Sequence, residues 1–276
     1  MNRLKNKGQI FIFPSFLGLS IFYLIPIAIM IYFSVTINGQ FDQFQGIKNL
    51  LTSNIFMMAM KNTLIFSVIG IFGLITLALI LSLIISKMTL FKGLIQTVLL
   101  SPLVIPTASI IMIWNIFFNS SGLVNDVLIK FNQSPIDFYN SSYSFLNVLL
   151  LFFWKNLGYI TLILSAAIEN VDTAQYEAAS IDGANGLQKA FHITLPNIKH
   201  ALIFVFVITM VNSFKAFREI YLLMGQYPHE SIYSLQHYMN NLFEVMDYQK
   251  LSIIALSVLV LIVTVVLIIL RLEKED

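Results

Sequence analysis

The chain has 276 residues, 58% hydrophobic and only 11% charged, with a net charge of +2 and no cysteine. A soluble domain averages about 25% charged residues, so a chain this apolar meets lipid over much of its surface. Without cysteine there is no disulfide framework, thiol catalysis or thiolate metal site, and the scattered bases form no nucleic-acid patch.

Six segments are long and apolar enough to cross roughly 30 Å of hydrocarbon as helices. They lie at approximately 10–35, 62–86, 94–118, 143–167, 201–225 and 249–271. The first follows Arg3, Lys5 and Lys7, as a signal peptide would. It is too long for such a peptide's apolar region and lacks a small-x-small cleavage site, so it reads as a retained helix. Pro14 and Pro26 mark bends in it. The third contains Pro102, Pro106, Trp114 and Asn115 and is the weakest on hydropathy. Prolines are tolerated in membrane helices where neighbours satisfy the freed backbone groups.

The fourth segment carries Lys155 near its middle. An uncompensated charge there costs about 2.5–3.5 kcal/mol on insertion scales. Either Lys155 faces a cavity or a partner, or the span starts later and the side chain reaches the outer interface. In the fifth segment Lys215, Arg218 and Glu219 are expected near the outer surface. Trp154, Tyr159 and Asn212 supply aromatic faces and an amide that suit a polyhydroxylated ligand, and equally suit ordinary interhelical packing.

Six spans put both termini on one side. That side carries nine Lys and Arg (3, 5, 7, 87, 92, 189, 199, 271 and 274), against four on the other (48, 61, 130 and 250). The excess of bases marks the cytoplasmic side. The termini and the loop at about 168–200 are therefore expected in the cytoplasm, and the shorter loops at 36–61, 119–142 and 226–248 outside. The sequence holds no soluble domain or fixed-period repeat, so residues 1–276 read as a single all-α membrane domain.

The loop at 168–200 is long for a mere connector, and it shows signs of order. Asp172 is placed to cap a helix, with Gln175 as the third residue of a capping-box variant. Ala174, Ala178 and Ala179 favour that helix, and Gly183 suits a left-handed end to it. Asn185-Gly186 supports a turn, and a second short helix is expected from Leu187 to about His192. Pro196 is expected to open the fifth span and to push Leu195 toward an extended conformation. Small residues at the corner leave a low surface, and Tyr176, Ile181, Leu187 and Phe191 offer apolar anchors.

This loop reads Glu177-Ala178-Ala179-Ser180-Ile181-Asp182-Gly183-Ala184, then eight residues, then Ile193-Thr194-Leu195-Pro196. The spacing resembles the EAA motif of permease subunits in bacterial binding-protein-dependent ABC importers at every fixed position. Phe13-Pro14-Ser15 with Tyr23-Leu24-Ile25-Pro26, Gly46-Ile47-Lys48-Asn49, Pro102 to Pro106 and Gly122-Leu123-Val124-Asn125 are similar to the MalF/UgpA-type sugar permeases. Trp154, Gly158-Tyr159 and Phe214-Lys215-Ala216-Phe217 extend the likeness. Gly225-Gln226-Tyr227-Pro228 stands where those permeases have a Gly-Gly-Pro turn.

The resemblance implies an ABC importer type I permease-like fold of six transmembrane helices in the bacterial cell membrane. It implies a carbohydrate path coupled to ATP hydrolysis by other subunits. The implied partners are a second homologous permease, two ATPase subunits, an extracellular solute-binding protein and a sugar or oligosaccharide. It makes the loop a coupling helix docked on the ATPase, with Glu177 as a polar contact, Gly183 as the corner and Asp182 as its cap or polar anchor. Ala178, Ala179, Ala184, Ile193, Leu195 and Pro196 complete that set. No cofactor is implied beyond ATP held by the partners. No phosphate-binding loop, HExxH or GxSxG motif occurs, and no metal ligand set is expected from His192, His200, His229 and His237. Other solutes (glycerol phosphate, a polyamine) or a membrane-embedded enzyme are the alternatives.

Overall fold

The computed structural model describes residues 13–37 and 39–274. Arg3, Lys5 and Lys7, which enter the orientation argument, lie outside the described residues, as does the side chain of Lys274. Apart from turns and loops, the described residues are helical except for one small hairpin, β1 (Thr36–Ile37) and β2 (Gln40–Phe41), antiparallel with Thr36 opposite Phe41. Around it run α1 (Phe13–Val35), α2 (Gln45–Leu51) and α3 (Asn54–Ile85). Then come α4 (Lys92–Val104), α5 (Thr107–Phe118), α6 (Leu123–Lys130) and α7 (Tyr143–Glu169). Next are α8 (Thr173–Ile181), α9 (186–197), α10 (Lys199–Lys215), α11 (Phe217–Met224), α12 (Leu235–Glu244) and α13 (Tyr248–Lys274).

Six stretches are long and apolar enough to cross a membrane: Phe13–Val35, Asn54–Ile85, Thr107–Lys130, Tyr143–Glu169, Lys199–Met224 and Tyr248–Ile269. Five overlap the expected spans closely. The third differs. The segment expected at 94–118 is two helices, α4 and α5, broken where Ile105 turns extended (φ −71, ψ 130). Pro106 causes the break, because its ring disfavours a helical residue before it. Pro102 stays inside α4, where it is buried.

Two further prolines sit in helices without breaking them, by one shared device. A π turn over Ser20–Leu24 precedes Pro26, closed by a bond from the Ile25 N–H to the Ser20 carbonyl. A second over Ala190–Thr194 precedes Pro196, closed by the Leu195 N–H and the Ala190 carbonyl. The wider turn keeps each proline ring clear of the carbonyl four residues back. Leu195 is therefore helical (φ −58, ψ −45), not extended as the sequence suggests. Residues 186–197 form one continuous helical run.

The chain divides into two compact units, one up to Met57 with Tyr238–Ile268, the other from Met58 to His237 with the residues after Ile268. In the first, the Asp42 carboxylate accepts from Gln249 Nε2 at 2.7 Å and also takes the N–H of Gly46. Phe33 stacks on Tyr248 with ring centroids 6.0 Å apart.

The second unit is built on α7. Val148, Phe152, Ile160 and Leu164 of α7 join Leu74 and Val205 in its buried core. Helix α4 lies backbone to backbone on α7: a Cβ at Gly158 would sit 1.7 Å from the Leu99 carbonyl oxygen. Small residues allow this approach, and without a hydrophobic drive between helices in lipid it is close packing that holds them. The 119–142 loop is pinned by buried Asn125, which donates to the Ile136 carbonyl (2.9 Å) and accepts from the Ile136 N–H (2.8 Å). Tyr139 donates to Asn115 Oδ1 at 2.7 Å, and burial pushes its hydroxyl up to about 12. Buried His237 lies edge-on to Phe217 (4.7 Å) with its Nδ1 2.9 Å from Ser234 Oγ. Burial drives its imidazole down to about 4.

Candidate functional site

The loop after α7 is ordered throughout. The Asp172 side chain accepts from the Ala174 N–H at 3.0 Å and caps α8. Gln175 does not complete a capping box, because its Oε1 takes a bond from Asn197 Nδ2 at 3.0 Å and ties α8 to α9 instead. The far end of α8 closes as expected. Gly183 has φ +79, its N–H reaches the Ser180 carbonyl (3.2 Å), and the Ala184 N–H reaches the Ala179 carbonyl (2.8 Å). These two bonds are a Schellman motif, which requires a left-handed residue where Gly183 stands.

Asn185 then opens α9 with a full capping box. Its Oδ1 accepts from the Gln188 N–H (2.9 Å), and Gln188 Oε1 accepts from the Asn185 N–H (2.8 Å). The box sits one residue before the expected start of the second helix, and the Asn185-x-x-Gln188 spacing was the signal for it. Two further bonds clasp the helices: Lys189 Nζ to Ser180 Oγ (2.6 Å), and the Tyr176 hydroxyl with Thr194 Oγ1 (2.9 Å).

The clasp sorts the expected loop residues. Tyr176 turns inward, and Ile193 packs on the core. Thr194 is buried, Leu195 is half-buried and Pro196 is exposed. Glu177, Ala178, Asp182 and Gly183 face out, while Ala179 and Ala184 are half-buried. Ile181 is 87% exposed, Leu187 72% and Phe191 63%. A notch of about 330 Å³ beside the corner is lined by Ala179, Asp182, Gly183, Ala184, Gln188 and His192. Behind the loop, Lys92 Nζ lies 2.6 Å from Glu169 Oε2 at the end of α7.

A second polar feature lies between α7 and the break from α10 to α11. A cavity of about 360 Å³ is lined by Lys155, Asn156, Asn212, Lys215, Arg218 and Glu219 among others. The Lys155 ammonium pairs with the Glu219 carboxylate. Glu219 is only 7% exposed, because the turn of α11 carries it toward Lys155. Its neighbour Arg218 faces out. Asn212 Nδ2 donates to Asn156 Oδ1 at 3.1 Å. Of the three sequence-derived path candidates, only Asn212 lines this cavity. Trp154 leans on Trp114, centroids 5.9 Å apart, and Tyr159 is half-buried against the core. Among the described residues, no three His, Asp or Glu side chains gather in a metal-binding group.

Residues 74–274 match the model of the binding-protein-dependent transport system inner membrane component family. The chain belongs to that family. It is a multi-pass protein of the cytoplasmic membrane and a transport component rather than an enzyme. It is 32% identical to the arabinooligosaccharides transport system permease protein AraP of Bacillus subtilis (strain 168), over 79% of this chain and 72% of that one. It is 28% identical to the lactose transport system permease protein LacF of Rhizobium radiobacter, over 78% and 75%. The trehalose/maltose transport system permease protein MalF of Thermococcus litoralis (strain ATCC 51850 / DSM 5473 / JCM 8560 / NS-C) shares 26% identity over 99% and 95%. In fold, the chain resembles a chain of the crystal structure of a bacterial alginate ABC transporter in complex with an alginate-bound periplasmic protein. The TM-score is 0.88 at 22% identity, covering 99% of this chain and 96% of that one.

Proposed function

We propose that this chain is the carbohydrate permease of an ABC importer and that the corner at Gly183 is its contact with an ATPase. The observation that carries the coupling role is the exposed trio Ile181, Leu187 and Phe191 around a corner fixed by backbone bonds. A rigid corner with small residues and outward apolar side chains suits docking on another protein, since such anchors dominate interfaces. Glu177 and Asp182 add polar contacts at its rim, and Ala178, Ala179 and Ala184 let the partner approach. Ile193, Leu195 and Pro196 join the corner to the fifth span. The carbohydrate assignment is supported by relatives named for arabinooligosaccharides, lactose and trehalose/maltose.

In this reading residues 1–276 act as one permease domain with both termini and the corner in the cytoplasm. The chain pairs with a second permease, two ATPase subunits bind the ATP, and an extracellular solute-binding protein delivers the sugar. ATP-driven closure of the ATPases moves the corners and rocks the helices around a midplane path.

The test is purification of the tagged chain from its own membranes, followed by reconstitution. The expected result is co-purification of an ATPase and a second permease. Hydrolysis should then rise when an oligosaccharide and the solute-binding protein are added. A chain that arrives without any ATPase, or an assembly whose hydrolysis no oligosaccharide raises, refutes the reading.

A further inference from the structure

The ends of α3 and α7 and the loop proposed for coupling enclose a cavity of about 770 Å³. That lies within the roughly 300–1,000 Å³ typical of small-molecule sites. One wall is apolar, made by Leu83, Ile168, Val171 and Ala190. Ile168 and Val171 belong to the buried core and Leu83 packs on it, so this wall is firm. The rim is polar. Ser86 and Lys87 follow the end of α3, Glu169 ends α7, and Thr173, Tyr176 and Lys189 close the loop side.

The rim is cationic. Its one carboxylate, Glu169, is neutralised by Lys92 Nζ at 2.6 Å. Asp172 is close in sequence but does not line the cavity, and its side chain accepts from the Ala174 N–H at 3.0 Å. Lys189 Nζ donates to Ser180 Oγ at 2.6 Å, an uncharged partner that takes one of the three ammonium donors. The Lys87 ammonium has no ion pair or hydrogen bond among the described residues. The two lysines come from opposite sides of the cavity, one from the spans and one from the loop. The preference of the cytoplasmic side for bases explains lysines on a surface, but not a cavity between them with a wall of core residues. A firm apolar wall and a cationic rim, at the ends of two membrane-crossing stretches, fit an amphiphile with an anionic head. A sugar or a nucleotide would leave the wall unused. Bilayer lipid supplies such amphiphiles, and basic pockets between helices on the cytoplasmic side take acidic headgroups.

We infer that this cavity binds an acidic glycerophospholipid, with its phosphate between Lys87 and Lys189 and its apolar part against Leu83, Ile168 and Val171. Bound there, the headgroup ties the end of α3 to α9 and braces the corner at Gly183 against the spans. The inference goes beyond the permease reading and borrows from it only the side of the membrane on which the loop lies.

The experiment purifies the tagged chain with its partners in detergent and adds an equimolar mixture of dioleoylphosphatidylglycerol and dioleoylphosphatidylcholine. Retained lipid is counted by native mass spectrometry. Wild type should keep phosphatidylglycerol over phosphatidylcholine by at least about fivefold. Lys87→Gln and Lys189→Gln should each remove most of that preference. Lys87→Arg and Lys189→Arg keep the charge and should keep the preference, which separates charge from folding. Ala190→Phe fills the apolar wall at unchanged charge and should expel the lipid as well. Equal retention of the two lipids by wild type overturns the inference. A preference that survives both Gln variants, or survives Ala190→Phe, places the lipid on the outside of the helices and also overturns it. If sn-glycerol 3-phosphate binds with the same lysine dependence while no phosphatidylglycerol is kept, the occupant is a soluble phosphate and the lipid is refuted. The ATPase content of the same wild-type sample tests the coupling reading separately, so either can fail alone.

Discussion

Substitution at Gly183 separates backbone geometry from side-chain bulk at the proposed ATPase contact. A Cβ at Gly183 would meet nothing within 4 Å in this chain, so sterics inside the chain cost nothing. The cost is conformational. At φ +79 a residue with a Cβ loses about 1–2 kcal/mol. That is too little to unfold a domain with about 5–15 kcal/mol of stability, but it shifts a local equilibrium roughly 5- to 30-fold. Gly183→Ala should therefore weaken ATPase association by about that factor at normal membrane levels. Asn tolerates the left-handed region better than Ala, so Gly183→Asn should lose less despite its larger side chain. Gly183→Pro should lose most. Its φ is fixed near −65° and it cannot supply the N–H that reaches Ser180 at 3.2 Å. The assay is the ATPase-to-permease ratio after affinity purification, read with sugar uptake. An order in which Asn is worse than Ala would show that bulk, not backbone, governs the contact. Full ATPase retention and full uptake in Gly183→Pro would remove the coupling role from this loop.

Four further outcomes are expected. Gly158→Ala should destabilise the chain by about 1–3 kcal/mol or more, since a Cβ 1.7 Å from the Leu99 oxygen must move to at least 3.0 Å; an unchanged melting temperature in detergent would refute the close approach of α4 and α7. Lys155→Met strands the buried Glu219 charge and should cost about 3–5 kcal/mol; adding Glu219→Leu should restore most of it, and a double variant no better than the single one would count against the pair. The native imidazole of His237 titrates near 4 against 6.5 when unfolded. Its contribution is thus present above pH 6.5, falls away as pH drops toward 4, and amounts to about 3 kcal/mol. A His237→Gln variant should show a flatter melting profile between those values, and an identical slope would contradict the assignment. Single cysteines replacing Lys189 and Asn132 should label only from the cytoplasm and only from outside, respectively; external labelling at Lys189 would overturn the orientation.

Much of the loop proposed for coupling was legible because its determinants are local. Asp172 capping α8, Gly183 ending it and the eight-residue gap to Ile193-Thr194-Leu195-Pro196 all act within a turn or two of the chain. The bonds that clasp the loop were not legible, since Lys189–Ser180 and Asn197–Gln175 depend on where two helices meet. The same holds for the polar cavity. Lys155 and Glu219 are 64 residues apart, and nothing in either neighbourhood names the other. Lys215, Arg218 and Glu219 look alike in the sequence, and only the turn of α11 makes Glu219 the buried one. The break at Ile105 was foreshadowed by Pro106, but hydropathy averages across a proline and so reads α4 and α5 as one span.

The π turn at Ala190–Thr194 carries a consequence for how the corner is aimed. An α-helix advances roughly 100° per residue, and a π turn holds one residue more than an α turn. Everything before it, including Leu187 and the Gly183 corner, is therefore set about one residue's azimuth away from where an unbroken helix would leave it. Aim toward a partner is fixed here by residue count, independent of which side chains the corner presents. It can change only in discrete steps. Inserting one alanine after Lys189, outside the π turn, would swing Leu187 by roughly 100° while leaving every span's hydropathy intact, and loss of the ATPase from a normally inserted chain would register the missed heading.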